Sequence, residues 1–190
     1  MPFEFRRHDD LPDIVVIQPR AFEDDRGWFQ ETWKRSEFER FGISTEFQQD
    51  NQSRSTVRGV IRGLHYQLNP VAQGKLVRCT IGAIFDVVVD IRRGSPTYGK
   101  WAGVELTEHN RTILWVPEGF AHAICTLTDV ADALYKTTTE YSPQHERCIR
   151  WNDPSLAIRW PAKEPQVSPR DAGAPFLAQA DNNFLWQPAP

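Results

Sequence analysis

Residues 83–92, AIFDVVVDIR, decide how the chain folds. Side chains on a strand alternate between its two faces. On that count Ala83, Phe85, Val87, Val89 and Ile91 make one unbroken apolar face, opposite Asp86, Val88, Asp90 and Arg92. The β-branched content fits a strand buried on at least one side. Downstream, Gly94-Ser95-Pro96-Thr97 turns the chain. Strands follow at Trp101–Leu106 and Thr112–Val116, then a turn at Pro117-Glu118-Gly119. The next strand puts Phe120, His122 and Ile124 on one side. Ala133 to Tyr141 alternates again, with Tyr135, Thr137, Thr139 and Tyr141 together, and RCIRW and LAIRW flank the Asn152-Asp153-Pro154 turn. Upstream, a first short strand covers 14–17, and Asp24-Asp25-Arg26-Gly27 is turn chemistry leading into an aromatic strand from Trp28 to Trp33. Ser36 to Phe41 is the one helix expected in this half, with Ser36 as N-cap and Gly42 ending it. Phe47 to Ser53 is a polar strand whose four amide side chains belong either in a wet pocket or on an exposed edge.

Many short strands with turn signals every 8–12 residues or so indicate an all-β sandwich or barrel. A double-sheet jelly roll is the expected architecture, because its interior houses a small ligand. The 190 residues fit a single domain, 1–190, with a tail rich in proline and alanine from about 161. A hydrophobic content of 40% with 7 Trp and 11 Phe excludes disorder. A net charge of -3 argues against nucleic acid and anionic membranes as partners, so any phosphate recognition is local. No apolar run approaches the roughly 20 residues of a membrane helix, and MPFEFRRHDD has no signal-peptide core. Three cysteines, Cys79, Cys125 and Cys148, without CxxC spacing fit reduced thiols in a cytoplasmic protein, with Cys79 a small core residue.

The chemistry concentrates in STVRGVIRGLHYQLNPVAQGK, 55–75. Read as one hairpin turning at Asn69-Pro70, it brings His65 and Lys75 onto facing strands. Ile61, Gly63, His65 and Gln67 share a face, apart from Arg62 and Leu64, unless Gly63 bulges the strand. A titratable base and a cation so placed can act on one ligand atom. On the residues alone a structural strand histidine and a solvated lysine remain equal alternatives. A jelly roll with histidines also invites a metal reading, but the five histidines at 8, 65, 109, 122 and 145 are scattered and no His-x-His occurs. Three or more ligands must converge on an ion. Proton transfer by side chains, with no metal and no cofactor, is the expectation.

Nine stretches then fall in one order between about 22 and 175: DDRGWFQE, QDNQS, GVIRGLHYQ, GKLVR, FDVVVDIRRGSPTYGKW, VPEGFAHAICTL, LYKTTTEYSP, RWNDPSLAIRWP and SPRDAGAP. With these the chain resembles the dTDP-4-dehydrorhamnose 3,5-epimerase family. The resemblance implies a cupin-type double-stranded β-helix jelly roll with a few short helices, a homodimer, and a nucleotide-linked 4-keto-6-deoxyhexose inverted at C3 and C5. It implies His65 as base, Asp171 as its carboxylate partner, Lys75 at the enolate oxygen and Tyr135 as acid, with Tyr141 the competing phenol. It places His122 near the sugar and Arg26 and Arg62 on the diphosphate, where a guanidinium engages phosphate oxygens bidentately. Glu31, Gln49 and Asn51 match sugar or nucleotide contacts, Phe29 lies against base or sugar, and Arg170 is a further phosphate contact. In such dimers strands of one subunit reach the other's pocket.

One departure stands out. The family's histidine-glycine-phenylalanine is here His122-Ala123-Ile124, an added methyl and a lost ring beside the sugar. Inversion at C3 alone is therefore an open alternative, alongside a sugar-nucleotide ketoisomerase, a non-catalytic nucleotide-sugar binding module, and a metal-dependent enzyme of the same fold.

Overall fold

The computed structural model describes residues 2–188. Fourteen strands and two short helices follow one another: β1 (Phe3–Arg7), β2 (Val15–Pro19), β3 (Ala21–Asp24), β4 (Gly27–Gln30), α1 (Arg35–Arg40), β5 (Gln49–Ser55), β6 (Val60–Gln67), β7 (Lys75–Ile81), β8 (Ala83–Asp90), β9 (Trp101–Thr107), β10 (Ile113–Val116), β11 (Phe120–Thr126), β12 (Ala131–Thr137), β13 (Glu146–Cys148), β14 (Gln166–Val167) and α2 (Pro169–Ala172). One sheet runs β1-β2-β10-β7-β12-β5; the other runs β13-β6-β11-β8-β9, with β14 added to β6 in parallel. The two sheets face each other as a jelly roll, the all-β class expected from the strand spacing. Among the described residues, no helix is long and apolar enough to cross a membrane.

The central strands of both sheets are buried on both faces. Between them lie Val77, Cys79, Ile84, Val88, Leu114, Ile124 and Ala133. The first sheet's outer face packs Phe3, Ile17, Ile113 and Trp115 against Phe38 of α1 and Ile43. The second sheet's outer face carries Val87, Val89 and Ile91 beneath Ile149, Leu156, Leu177 and Phe184. So the unbroken apolar face of 83–92 points outward, under the C-terminal segment, whereas Ile84, Asp86 and Val88 point into the space between sheets. Burying a Val or Ile contributes roughly 1.5–3 kcal/mol, so the tail is part of the fold.

Several local expectations change. The 55–75 stretch is not a hairpin. β6 pairs with β11, β13 and β14, and β7 with β10 and β12, so the turn after Gln67 carries the chain from one sheet to the other. Bonds outside any ladder hold that crossing: Leu68 N–H donates to His145 O and Gly74 N–H to Thr138 Oγ1. The first strand is β1, which was not anticipated. The aromatic strand ends at Gln30 rather than Trp33. Helix α1 has its cap at Lys34, two residues before Ser36, with no side-chain capping bond. Its C-terminus follows expectation: Gly42, at φ +94°, and Ile43 donate back to Glu39 and Phe38 in a Schellman arrangement. β12 stops at Thr137, which removes Tyr141 from the face of Tyr135. Among the described residues the polar strand β5 is an edge strand, pairing only with β12.

Candidate active site

A cavity of about 500 Å³ opens between the two sheets. Its second-sheet wall is set by an irregularity at Gly63. His65 pairs with His122 and Arg62 with Ile124, so two residues of β6, Gly63 and Leu64, oppose Ala123 alone. That extra residue is a β-bulge, and it shifts the alternation by one. Arg62 and His65, which strict alternation would put on opposite faces, both line the cavity with His122 and Ile124. Gly63 is required there. Its φ is +125°, and a Cβ would sit 2.5 Å from both the Ala123 Cβ and the His122 carbonyl oxygen.

His65 Nε2 lies 2.7 Å from Asp171 Oδ1. Asp171 comes from α2, which Ser168 caps by accepting the Asp171 N–H at 3.1 Å, with Pro169 at the first helical position. The other carboxylate oxygen accepts from Gly63 N–H at 3.2 Å, and Cys148 Sγ lies 3.5 Å from Oδ1. Burial alone would raise this carboxyl, but the bonds from His65, Gly63 and Cys148 outweigh it and hold it at about 2. Asp171 is therefore ionised at neutral pH, fixing Nε2 and leaving Nδ1 as the nitrogen that accepts a proton. Burial and the neighbouring Asp171 push the Cys148 thiol up to about 12.

Lys75 opens β7 on the opposite sheet and is 8% exposed, its Nζ 3.4 Å from the His65 carbonyl oxygen. Facing strands therefore do bring His65 and Lys75 together, but across the sandwich rather than within a hairpin. Burial pulls Lys75 down to about 8, partly opposed by Asp86 and Glu146. Tyr135, on β12, lines the same cavity, and burial, aided by Glu146, raises its phenol. His122 Nε2 meets both carboxylate oxygens of the fully buried Asp86 at 2.9 Å. Burial lowers its imidazole against the pull of Asp86.

Arg62 donates to Ser55 Oγ at 3.2 Å, and Arg170 Nη1 lies 2.8 Å from Glu146 Oε2. Tyr141 donates to that same glutamate at 2.6 Å from an exposed position, so Tyr135 is the phenol inside the cavity. The fold thus brings together His65, Asp171, Lys75, Tyr135, Arg62, His122 and Arg170. It does not bring Arg26, Phe29, Glu31 or Gln49 to that wall. Arg26 sits at the β3–β4 turn, paired with Asp24 at 2.6 Å, and Phe29 is 67% exposed on the same two-stranded hairpin. Glu31 lies 3.7 Å from Lys34. Gln49 donates to Asn51 at 2.8 Å, and Asn51 lines a neighbouring cavity of about 380 Å³ that shares Tyr135.

The methyl of Ala123 does not lie beside the cavity. It faces the outer core against Gly63, and Ile124 alone of the two changed positions lines the wall. Asp86, Glu146 and Cys148 had no assigned role from sequence. For Asp86 alternation along 83–92 gives only its face, shared with Val88; that this face turns inward follows from the C-terminal segment covering the other one. For Glu146 no local pattern existed.

A carboxylate-held imidazole, a buried ammonium and a phenol converging inside a jelly roll define a class, the isomerases that move protons on a carbon acid. The chain matches the dTDP-4-dehydrorhamnose 3,5-epimerase family over residues 8–179. It is 51% identical over 173 residues to a dTDP-4-dehydrorhamnose 3,5-epimerase of Pseudomonas aeruginosa, covering 90% of this chain and 94% of that one. To the Shigella flexneri enzyme of the same name it is 50% identical, covering 90% and 95%. A crystal structure of a dTDP-6-deoxy-D-glucose-3,5-epimerase from Legionella pneumophila, in complex with dTDP-4-keto-L-rhamnose, superposes with a TM-score of 0.90 at 44% identity, covering 94% and 95%. The chain belongs to the dTDP-4-dehydrorhamnose 3,5-epimerase family.

Proposed function

We propose that this chain inverts C3 and C5 of dTDP-4-dehydro-6-deoxy-D-glucose, giving dTDP-4-dehydro-L-rhamnose, by taking and returning protons through an enolate. The observation that carries the reading is the convergence of His65, Lys75 and Tyr135 on one cavity from two different sheets. A hydrogen on carbon beside a ketone is acidic only if the enolate is stabilised. His65 Nδ1 accepts that hydrogen while Asp171 stabilises the imidazolium. The Lys75 ammonium meets the oxygen on which charge develops, a contribution of about 3–4 kcal/mol to the barrier. Tyr135 comes from the facing sheet and returns a proton to the other side of the carbon. His122, held by Asp86, lines the sugar end, and Arg62 and Arg170 face the diphosphate.

Arg26, Phe29, Glu31 and Gln49 fit this reading through a homodimer. They lie off the wall of their own chain's cavity, and the β3–β4 hairpin exposes Phe22, Trp28 and Phe29 in one short segment. A second copy that receives this hairpin would obtain Arg26 and Phe29 for its nucleotide and cover the aromatic side chains. The protein acts as a single jelly-roll domain in the cytoplasm, without metal or nicotinamide in the reaction.

The test is solvent exchange. In deuterium oxide, with a dTDP-linked 4-keto-6-deoxyglucose, the protein incorporates deuterium at C3 and C5, and His65→Ala abolishes both with the fold intact. Exchange at C3 alone selects the monoepimerase; activity of His65→Ala near wild type removes His65 as the base.

A further inference from the structure

The catalytic pair has a third neighbour to which the epimerase reading gives no task. Cys148 stands directly across from His65 in the β13–β6 register, so the two side chains share a face. Its Sγ approaches the same Asp171 oxygen, Oδ1, that His65 Nε2 meets. Among the described residues, the nitrogen, sulfur and oxygen of these three all lie within 4.8 Å of one another. We propose that His65, Cys148 and Asp171 form an inhibitory site for a soft divalent cation of the zinc type, which switches off the base by taking its Nε2.

The donor set selects the ion. Thiolate, imidazole and carboxylate together suit Zn²⁺, which takes them at about 2.0–2.3 Å in a tetrahedron and often keeps a fourth position for water. Hard cations such as Mg²⁺ demand oxygen ligands and are excluded by the sulfur. Those bond lengths separate tetrahedral ligand atoms by about 3.3–3.7 Å. The sulfur–oxygen distance is already 3.5 Å, and the nitrogen–oxygen distance of 2.7 Å has to open by roughly half an ångström. His65 lines the cavity, which gives the ion its way in and the fourth position its water.

The protons balance without any redox change. The Cys148 sulfur releases its hydrogen to solvent as the metal–sulfur bond forms. A neutral imidazole bound through Nε2 must carry its remaining hydrogen on Nδ1. That is the nitrogen assigned to take the substrate's proton, so the loaded enzyme has no base. Metal binding itself is independent of the epimerase reading; its inhibitory consequence rests on that reading.

The experiment titrates the full chain with Co²⁺ as a coloured stand-in for Zn²⁺, with Mg²⁺ as control. One equivalent of Co²⁺ gives the d–d bands of a four-coordinate ion and a thiolate-to-metal charge-transfer band, and Zn²⁺ bleaches both. Cys148→Ser loses the charge-transfer band and weakens binding at least about tenfold. His65→Asn, which keeps the thiol, loses the four-coordinate spectrum. Absence of the bands at stoichiometric metal, or a charge-transfer band that survives in Cys148→Ser, overturns the site. In the deuterium-exchange assay Zn²⁺ halts exchange, a chelator restores it, and Cys148→Ser, compared with its own metal-free rate, requires at least about tenfold more metal. Exchange at full rate with the bands developed refutes the inhibition while leaving the metal site standing. Bands without any exchange in the metal-free protein refute the epimerase reading instead.

Discussion

Replacing Lys75 by methionine is expected to make the protein more stable and less active at once. The ammonium is buried, and its folded-state value of about 8 stands well below the ordinary 10.5. At neutral pH the folded protein therefore holds a charge that the unfolded chain, in water, holds more easily. A displacement of this size corresponds to about 3 kcal/mol of destabilisation at pH 7. Methionine fills a similar volume without the charge, so Lys75→Met should recover much of that amount, an increase in Tm of roughly 6–12 °C for a chain of this length. The sign then fixes the pH dependence. Between about 8 and 10.5 the unfolded chain binds more protons than the folded one, so wild-type stability rises with pH across that window. The advantage of Lys75→Met is complete below pH 8 and shrinks to nothing by about 10.5.

Activity moves the other way. Wild-type kcat/KM should decline above about pH 8, as the ammonium assigned to the enolate under the proposed function is lost from the free enzyme. Lys75→Met should lose roughly 10²–10³ in kcat at every pH. The assay is urea unfolding of both proteins at fixed concentration and a series of pH values, alongside exchange kinetics. A Lys75→Met protein less stable than wild type at pH 7, with a difference that does not change up to pH 10, would refute the reasoning. The lysine would then be a well-compensated structural residue.

Three other outcomes follow from the same geometry. Asp171→Asn keeps an acceptor for Gly63 N–H but loses the charge that stabilises the imidazolium, so kcat/KM in the exchange assay should fall roughly 10²–10⁴-fold with little change in the circular dichroism spectrum. Gly63→Ala places a methyl against Ala123 and the His122 carbonyl at a positive φ, and should cost at least about 2 kcal/mol in urea unfolding. Arg26→Ala and His65→Ala, each expected to be inactive, should recover about a quarter of wild-type activity per site when their subunits are unfolded together and reassembled, because in the proposed homodimer about half of the dimers would be mixed and hold one intact composite site. No recovery, with mixed dimers demonstrated by mass spectrometry, would place Arg26 at its own chain's cavity.

The site was legible in sequence where chemistry rides on alternation, and obscure where it depends on which sheet a strand joins. Period two along 83–92 and 120–124 groups Asp86 with Val88 and His122 with Ile124, but which face turns inward is decided by the C-terminal segment that covers Val87, Val89 and Ile91; His122 and Ile124 line the cavity. The same rule fails at Gly63, where one extra residue turns Arg62 to the face of His65. Only a glycine in a strand hinted at that. The relation of His65 to Lys75 was right in its result and wrong in its means, because a ten-residue separation reads as a hairpin whether the strands pair or cross between sheets. What separates the two cases is non-local: Thr138 and His145 supply the bonds that hold the crossing. Tyr141 shows the same limit, since alternation runs through 133–141 in the sequence but the ladder ends at Thr137.

The residues matched to nucleotide contacts mark a different boundary. Arg26 and Phe29 carry a clear local signature, a turn followed by an aromatic strand, and β3 and β4 form as that signature demands. Their distance from the cavity arises because a two-stranded ribbon has too little core to choose its own partner; isolated hairpins are marginal in water. The ribbon's exposed aromatics are then a cost to the lone chain, and in the proposed homodimer the same side chains would anchor the second subunit that covers them. On this argument the wild-type chain should sediment as a dimer at micromolar concentration in analytical ultracentrifugation, and a Trp28→Ser and Phe29→Ser double variant as a monomer with the jelly roll still folded. A variant that stays dimeric and binds dTDP as wild type does would show that the ribbon neither anchors the subunits nor completes the pocket.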